Sequence, residues 1–236
     1  MNAGRSPWAP TPIPISRPNA TSGTRGILEV LQAADHPVCI VTKSALVQRD
    51  IDILAAMAAK RLATVSLSVT TLDRGLARRL EPRAATPERR LETIRALADA
   101  GIPTGVLAAP MIPALNDAEL EAILAACKEA GASTAGYVLL RLPHELKGLF
   151  REWLETHVPG RAKHVMSLVT EMHGGKEYDS QWGRRQTGTG RHAEVLRIRF
   201  ELACKRLGFR HRGNIGRLDT TLFRRPPQHG EQLSLL

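Results

Sequence analysis

Four short apolar runs recur along the chain, beginning near residues 38, 64, 104 and 136. They read PVCIVT (37–42), ATVSLSV (63–69), IPTGVLAAPMIP (102–113) and GYVLL (136–140). Runs this short, rich in β-branched residues and lacking strict alternation, predict buried strands. The segments between them repeat apolar residues at helical spacing. Ile51, Leu54, Ala55 and Ala58 form one such stripe, Leu91, Ile94, Leu97 and Ala98 a second, and Leu120, Ile123, Leu124 and Cys127 a third. Strand starts 26 to 40 residues apart with a helix between each pair predict a parallel sheet, open or curled into part of a barrel. Four strands are too few to close an eight-stranded barrel, so an edge is expected to need covering.

Turn chemistry supports these elements. Thr86-Pro87 is a helix start, with Thr as N-cap and Pro at the first helical position. Gly101 is placed to end that helix, and Gly131 the next. Asn116 with Glu119 three residues on is expected to form a capping box. Upstream, a helix is expected from about Thr24 to Asp35, with Ile27, Val30 and Leu31 as its apolar residues, whereas residues 1–23 show no period and are rich in Pro, Gly and Asn. After Arg141 the pattern becomes helical. Leu146, Leu149, Phe150, Trp153 and Leu154 share a face, as do Ala162, Val165, Val169 and Met172, and Ala193, Leu196, Phe200, Ala203 and Leu207. The expected organisation is therefore an irregular segment 1–23, a partial βα barrel 24–142 and a mainly helical, basic extension 143–236.

In parallel α/β sheets and barrels, ligands bind at the C-terminal ends of the strands. Those ends carry Lys43 and Ser44, then Ser66, Ser68, Thr70 and Thr71, then the Pro110–Pro113 turn with Asn116 and Asp117.

Charge adds a second theme. The net charge is +10, and residues 173–236 hold 13 Lys/Arg against 6 Asp/Glu. The Gly-rich stretch GRRQTGTGR within them, with Arg184, Arg185 and Arg191, has the composition of a phosphate- or nucleic-acid-binding loop. A solvated basic surface is the plainer alternative. The three cysteines, Cys39, Cys127 and Cys204, are too far apart for a local metal-ligand motif. Cys39 and Cys127 read as core thiols. Lys205 and Arg206 beside Cys204 would lower its pKa if it were exposed, although a packed thiol is favoured there too. No secretory signal and no apolar run of membrane-spanning length is visible, and a reducing, cytoplasmic setting is expected.

From Thr24 onward the chain resembles the spore photoproduct lyase-like (DNA repair photolyase-like) branch of the radical S-adenosylmethionine (SAM) enzymes. The most specific match is LSVTTLD…LEPRAATPERRLETIRALADAGIPTGVLAAPMIPALND. IVTKSALVQRDIDIL, GGKEYDS…RFELACKRLGF and the ending LDTTLFRRPP…QLSLL support it. The resemblance implies a partial TIM-type barrel. It also implies a [4Fe–4S] cluster held by a CxxxCxxC loop, and reductive cleavage of SAM to a radical that abstracts hydrogen from a substrate, here a nucleic acid. Carried over residue by residue, Ser68 matches a strand-end serine that contacts SAM, and Lys43 a strand-end lysine that approaches the SAM carboxylate. The AAPMIP turn lies where the adenine passes. Glu81 and Arg90 match recurrent positions, for which an ion pair or a helix-terminal role is expected. No catalytic residue is assigned.

The sequence departs from this family at one decisive point, since no CxxxCxxC occurs in it. It reads as an N-terminally truncated product with a frame disruption near residue 14. The chain as written is expected to bind no cluster at the family site and to be an inactive or incomplete fragment. The alternatives are a non-catalytic polyanion-binding module built on residues 173–236, and a metal-independent lyase or aldolase using Lys43 as a Schiff-base nucleophile.

Overall fold

The computed structural model describes residues 12–13, 21–175, 186–210 and 218–225. Its centre is a parallel sheet in sequence order: β1 (Pro12–Ile13), β2 (Val38–Thr42), β3 (Ala63–Val69), β4 (Thr104–Met111) and β5 (Thr134–Leu139). The helices are α1 (Thr21–Ala33), α2 (Ile51–Ala59), α3 (Arg74–Leu80), α4 (Pro87–Asp99), α5 (Leu120–Glu129), α6 (Leu146–His157), α7 (Ala162–Met172) and α8 (Gly190–Leu207). The expected α/β partial barrel of parallel strands with a helical C-terminal part is the observed architecture. The four strands read from the pattern are β2 to β5. The structure adds β1, which pairs in parallel with Cys39 and Ile40 of β2, and begins α1 at Thr21.

Strand alternation sends Val38, Ile40, Val65, Leu67, Val69, Val106, Ala108, Ala135, Tyr137 and Leu139 to one face, where they form the main core with the helices. From α4 and α5, Ile94, Leu97, Ile123, Leu124 and Cys127 enter it with no exposed surface. Burying side chains of this size contributes roughly 1.5–3 kcal/mol each. In α8, Ala193, Leu196 and Ala203 join the same core, and Phe200 packs on Tyr137 with ring centroids 4.8 Å apart. A satellite core of Ile112, Leu140, Leu142, Phe150, Leu154, Val165 and Val169 seats α6 and α7 over the ends of β4 and β5.

The caps read from sequence hold at both ends of α4. Thr86 Oγ1 accepts from Arg89 N at 3.3 Å with Pro87 in the first turn. Gly101, one past the C-cap of α4, takes φ +74, a conformation that costs little only without a Cβ. Two stripes fall differently. In α1 the inward residues are Thr24, Leu28 and Leu31, at i, i+4 and i+7, so Ile27 and Val30 are exposed. In α6, Leu146 and Leu149 are exposed because α7 meets only the Phe150–Leu154 edge.

Residues 218–225 return beneath the sheet. Asp219 N donates to Arg61 O (2.9 Å), Arg224 N donates to Ala34 O (2.9 Å), and Phe223 meets the His36 ring edge-on. This strap lies at the N-terminal ends of β2 and β3, away from the strand ends that carry the polar residues.

Candidate functional site

The same alternation points Val41, Ser66, Ser68, Leu107 and Val138 to the opposite, concave face, with Lys43, Thr70, Ala109 and Leu140 continuing those rows past or along the strands. Small residues keep this face open. Gly105 lies between Ser66 and Thr134 in register, and a Cβ on it would come within 2.5 Å of Thr134 Oγ1. Toward the C-terminal ends the face becomes a cleft of about 510 Å³. It is lined by Val41, Thr42, Lys43, Ser68, Leu107, Ala109, Pro110, Val138, Leu140 and Arg141. That volume lies in the range of small-molecule sites, and the mix of an apolar floor with a few polar groups is what such sites use.

The polar wall of this cleft is one connected network. Ala109 O accepts from Ser68 Oγ (2.9 Å) and Thr70 Oγ1 (2.9 Å), and Lys43 Nζ donates to it at 3.2 Å. Lys43 Nζ also donates to Thr70 Oγ1 (3.2 Å) and to the Glu81 carboxylate. Behind Glu81 stands Arg90, whose side chain is only 3% exposed. Its Nη2 donates to Glu81 Oε2 (2.6 Å), its Nη1 to Ser68 O (2.8 Å) and its Nε to Ala85 O (2.8 Å). Burial lowers the Lys43 ammonium below its ordinary value, against the opposing pull of Glu81. Burial pushes the Glu81 carboxyl up, but Lys43 and Arg90 together outweigh it and hold the group below the ordinary carboxylate value.

Lys43 and Ser68, singled out in the sequence, are thus neighbours on one wall, joined through Ala109 O. Glu81 and Arg90 are an ion pair, and they brace that wall. The signal for Arg90 was present, because it falls on the buried stripe of α4 four residues before Ile94. The reach of Glu81 from the end of α3 to Lys43 left no local pattern.

Asn116 and Glu119 do not form a capping box. Asn116 has no exposed surface; its Nδ2 donates to Thr70 O (2.7 Å) and Pro110 O (2.9 Å), and its Oδ1 accepts from Ile112 N (2.6 Å). Glu119 accepts from Thr71 Oγ1 (2.6 Å) and Leu72 N (2.7 Å). Both side chains turn toward the exit of β3 because its backbone groups have left the ladder and need partners. Asp117 meets His192 Nε2 at 3.0 Å, tying α8 to the same region.

The basic residues of the C-terminal part divide. Arg184 and Arg185 lie outside the described residues. Arg191 is exposed in the first turn of α8. Arg197 pairs with Glu194 and Glu201, and Arg199 with Glu121.

The cysteines do not converge, lying on β2, α5 and α8. Burial pushes the Cys127 thiol up to about 12, and burial with Glu201 pushes Cys204 up to about 11, so Lys205 and Arg206 do not activate it. Among the described residues no group of three or more His, Cys, Asp or Glu could hold a metal ion. Cluster ligation needs adjacent thiolates, and these residues do not fit it. The cleft has the size of a small-molecule site, and Lys43 and Ser68 are among its polar lining residues.

Residues 14–127 match the family model described as the Radical SAM superfamily. That part of the chain, just under half of it, belongs to the radical SAM superfamily. An uncharacterized protein of Mycobacterium tuberculosis is 34% identical over 131 residues, covering 55% of this chain and 38% of that protein. An uncharacterized protein of the Acidianus two-tailed virus is 30% identical over 177 residues, covering 73% of this chain and 54% of that one. Spore photoproduct lyase, solved in complex with dinucleoside spore photoproduct, superposes with a TM-score of 0.54 at 16% identity, over 86% of this chain and 60% of that chain. The last likeness is one of fold. The chain spans less than two thirds of the length of each of these relatives. As a radical SAM domain it implies SAM and a [4Fe–4S] cluster as the family's cofactors. No helix among the described residues is long and apolar enough to cross a membrane.

Proposed function

We propose that this radical SAM domain is a SAM-binding half barrel that, as this 236-residue chain, holds no [4Fe–4S] cluster and does not cleave SAM by itself. The observation that carries the reading is the convergence of Lys43, Ser68 and Thr70 on Ala109 O at the strand ends, on the wall of a cleft of suitable size. Lys43 serves the SAM carboxylate, Ser68 offers its free lone pairs to a ribose or ammonium donor, and the Ala109–Pro110 turn flanks the adenine. Leu107, Val138 and Leu140 give the apolar floor that excludes water from the bound ligand. We place the protein in a reducing cytoplasm, consistent with three separate free cysteines. The likeness to a lyase solved with a dinucleoside photoproduct supports nucleic acid as the substrate class of a complete relative.

Equilibrium dialysis with SAM tests the reading. Ser68→Ala is expected to weaken binding by roughly five- to tenfold, the loss of about one hydrogen bond. Anaerobic reconstitution with iron and sulfide is expected to give no stoichiometric cluster; a full complement of four irons, with its visible absorption, overturns the inactive-fragment reading.

A second proposal, independent of the cleft, is that Arg184, Arg185 and the exposed Arg191 contact nucleic-acid phosphates. Replacing all three with alanine is expected to reduce the slope of log affinity against log salt by about 2–3. An unchanged slope removes them from the interface.

A further inference from the structure

An ammonium has three N–H groups, and the fold supplies Lys43 with three acceptors: the Glu81 carboxylate, Thr70 Oγ1 and Ala109 O. None is left over for a ligand. Lys43 nevertheless lines the main cleft, and it also borders a second hollow of about 380 Å³ bounded by Ser44, Glu81 and Pro82–Ala85. Its side chain keeps 36% of its surface exposed, against 14% for Glu81 and 3% for Arg90. The cation is therefore the outermost member of the cluster, and the carboxylate behind it has a second hold. Arg90 takes Glu81 Oε2, and Arg90 is itself fixed by Ser68 O and Ala85 O. The three side chains bear two positive charges and one negative. If Lys43 leaves, the Glu81–Arg90 pair stays intact and neutral, so the unmatched charge belongs to Lys43.

We propose that Glu81 is a built-in stand-in for the ligand's carboxylate, which takes Lys43 by exchange while Glu81 falls back on Arg90. This deepens, and rests on, the SAM-binding reading. Glu81 sets how strongly the cleft selects for a carboxylate, and Arg90 is the positioning residue that makes the exchange possible without stranding a buried charge. In the native protein the ligand carboxylate can pair with Lys43 only as Lys43 separates from Glu81. One ion pair replaces another, so a ligand with the carboxylate outdoes one without it only modestly. With the Glu81 charge removed, only the neutral Thr70 Oγ1 and Ala109 O hold the ammonium, and the gap widens.

The experiment compares SAM with decarboxylated SAM, which lacks only that group, by calorimetry on the native chain and four variants. Glu81→Gln is expected to widen the preference for SAM by about tenfold. Glu81→Asp, which keeps a charge for Arg90 but reaches less far, is expected to widen it by a smaller factor, and it carries the test if Glu81→Gln does not fold. Lys43→Met, alone and combined with Glu81→Gln, is expected to abolish the preference. An unchanged preference in both Glu81 variants overturns the exchange while leaving SAM binding standing. A preference that persists without Lys43 also overturns it, because long-range charge would then be the cause. Absence of SAM binding to the native chain and to every Glu81 variant overturns the SAM-binding reading and the exchange together.

Discussion

Replacing Arg90 with alanine is expected to lower the free energy of unfolding by about 3–5 kcal/mol, the usual cost of removing one partner from a buried ion pair. The guanidinium serves three acceptors on three parts of the chain: the β3 backbone at Ser68, the α3–α4 turn at Ala85 and the Glu81 carboxylate. Without it, the Ser68 and Ala85 carbonyls lose their charged donor, and Glu81 keeps only Lys43 and the Thr70 hydroxyl, both on its Oε1. Chemical denaturation monitored by circular dichroism gives the number. A loss below about 1 kcal/mol, the value typical of an exposed pair, would show that Arg90 does not brace the wall. Arg90→Lys should recover only part of the loss, because one ammonium cannot reach three diverging acceptors in the fork geometry that a guanidinium offers.

The same network predicts the response to acid. Glu81 has a carboxyl held below its ordinary value in the folded state, so its stabilising contribution is complete above the unfolded pKa. That contribution is lost as pH falls through the folded value. Stability measured from neutral pH downward should therefore fall less steeply in Glu81→Gln than in the native chain.

What the sequence made legible follows from range. Period and turn chemistry act within a few residues, so β2 to β5, the α4 and α5 stripes, the Thr86 cap and Gly101 could be read directly. The inward face of α1 could not. Ile27, Leu28, Val30 and Leu31 are all apolar, and only packing against α2 decides that Leu28 is the buried one. At the site, Lys43 and Ser68 were visible as polar residues on or just past strand ends. Their connection through the Ala109 carbonyl depends on strand register, which pairs Ser68 with Leu107 across β3 and β4. Glu81 reaches Lys43 across 38 positions of chain, a distance at which no local pattern survives. The Asn116–Glu119 spacing shows the converse error. A local motif fitted a capping box, but the unladdered backbone at the end of β3 drew both side chains away.

Asn116 gives the second large effect. It has no exposed surface, and one carboxamide uses both ends to lock the exits of β3 and β4, donating to Thr70 O and Pro110 O and accepting from Ile112 N. Asn116→Ala leaves an amide N–H and two carbonyls without these partners in a buried setting, which is expected to cost roughly 2–4 kcal/mol. Asn116→Asp separates the two ends of the group. The carboxylate still accepts from Ile112 N, but it has no hydrogen for Thr70 O or Pro110 O and brings a charge into the interior. It should therefore be at least as destabilising as alanine at neutral pH, and recover as acid protonates it. The consequence reaches the cleft, because Pro110 lines it and Thr70 holds the Ala109 carbonyl in its wall, and both lose their common anchor. SAM affinity should fall in Asn116→Ala under conditions where the variant remains folded. If Asn116→Asp matches the native chain in denaturation at neutral pH, the two donated hydrogen bonds do not hold the strand ends together.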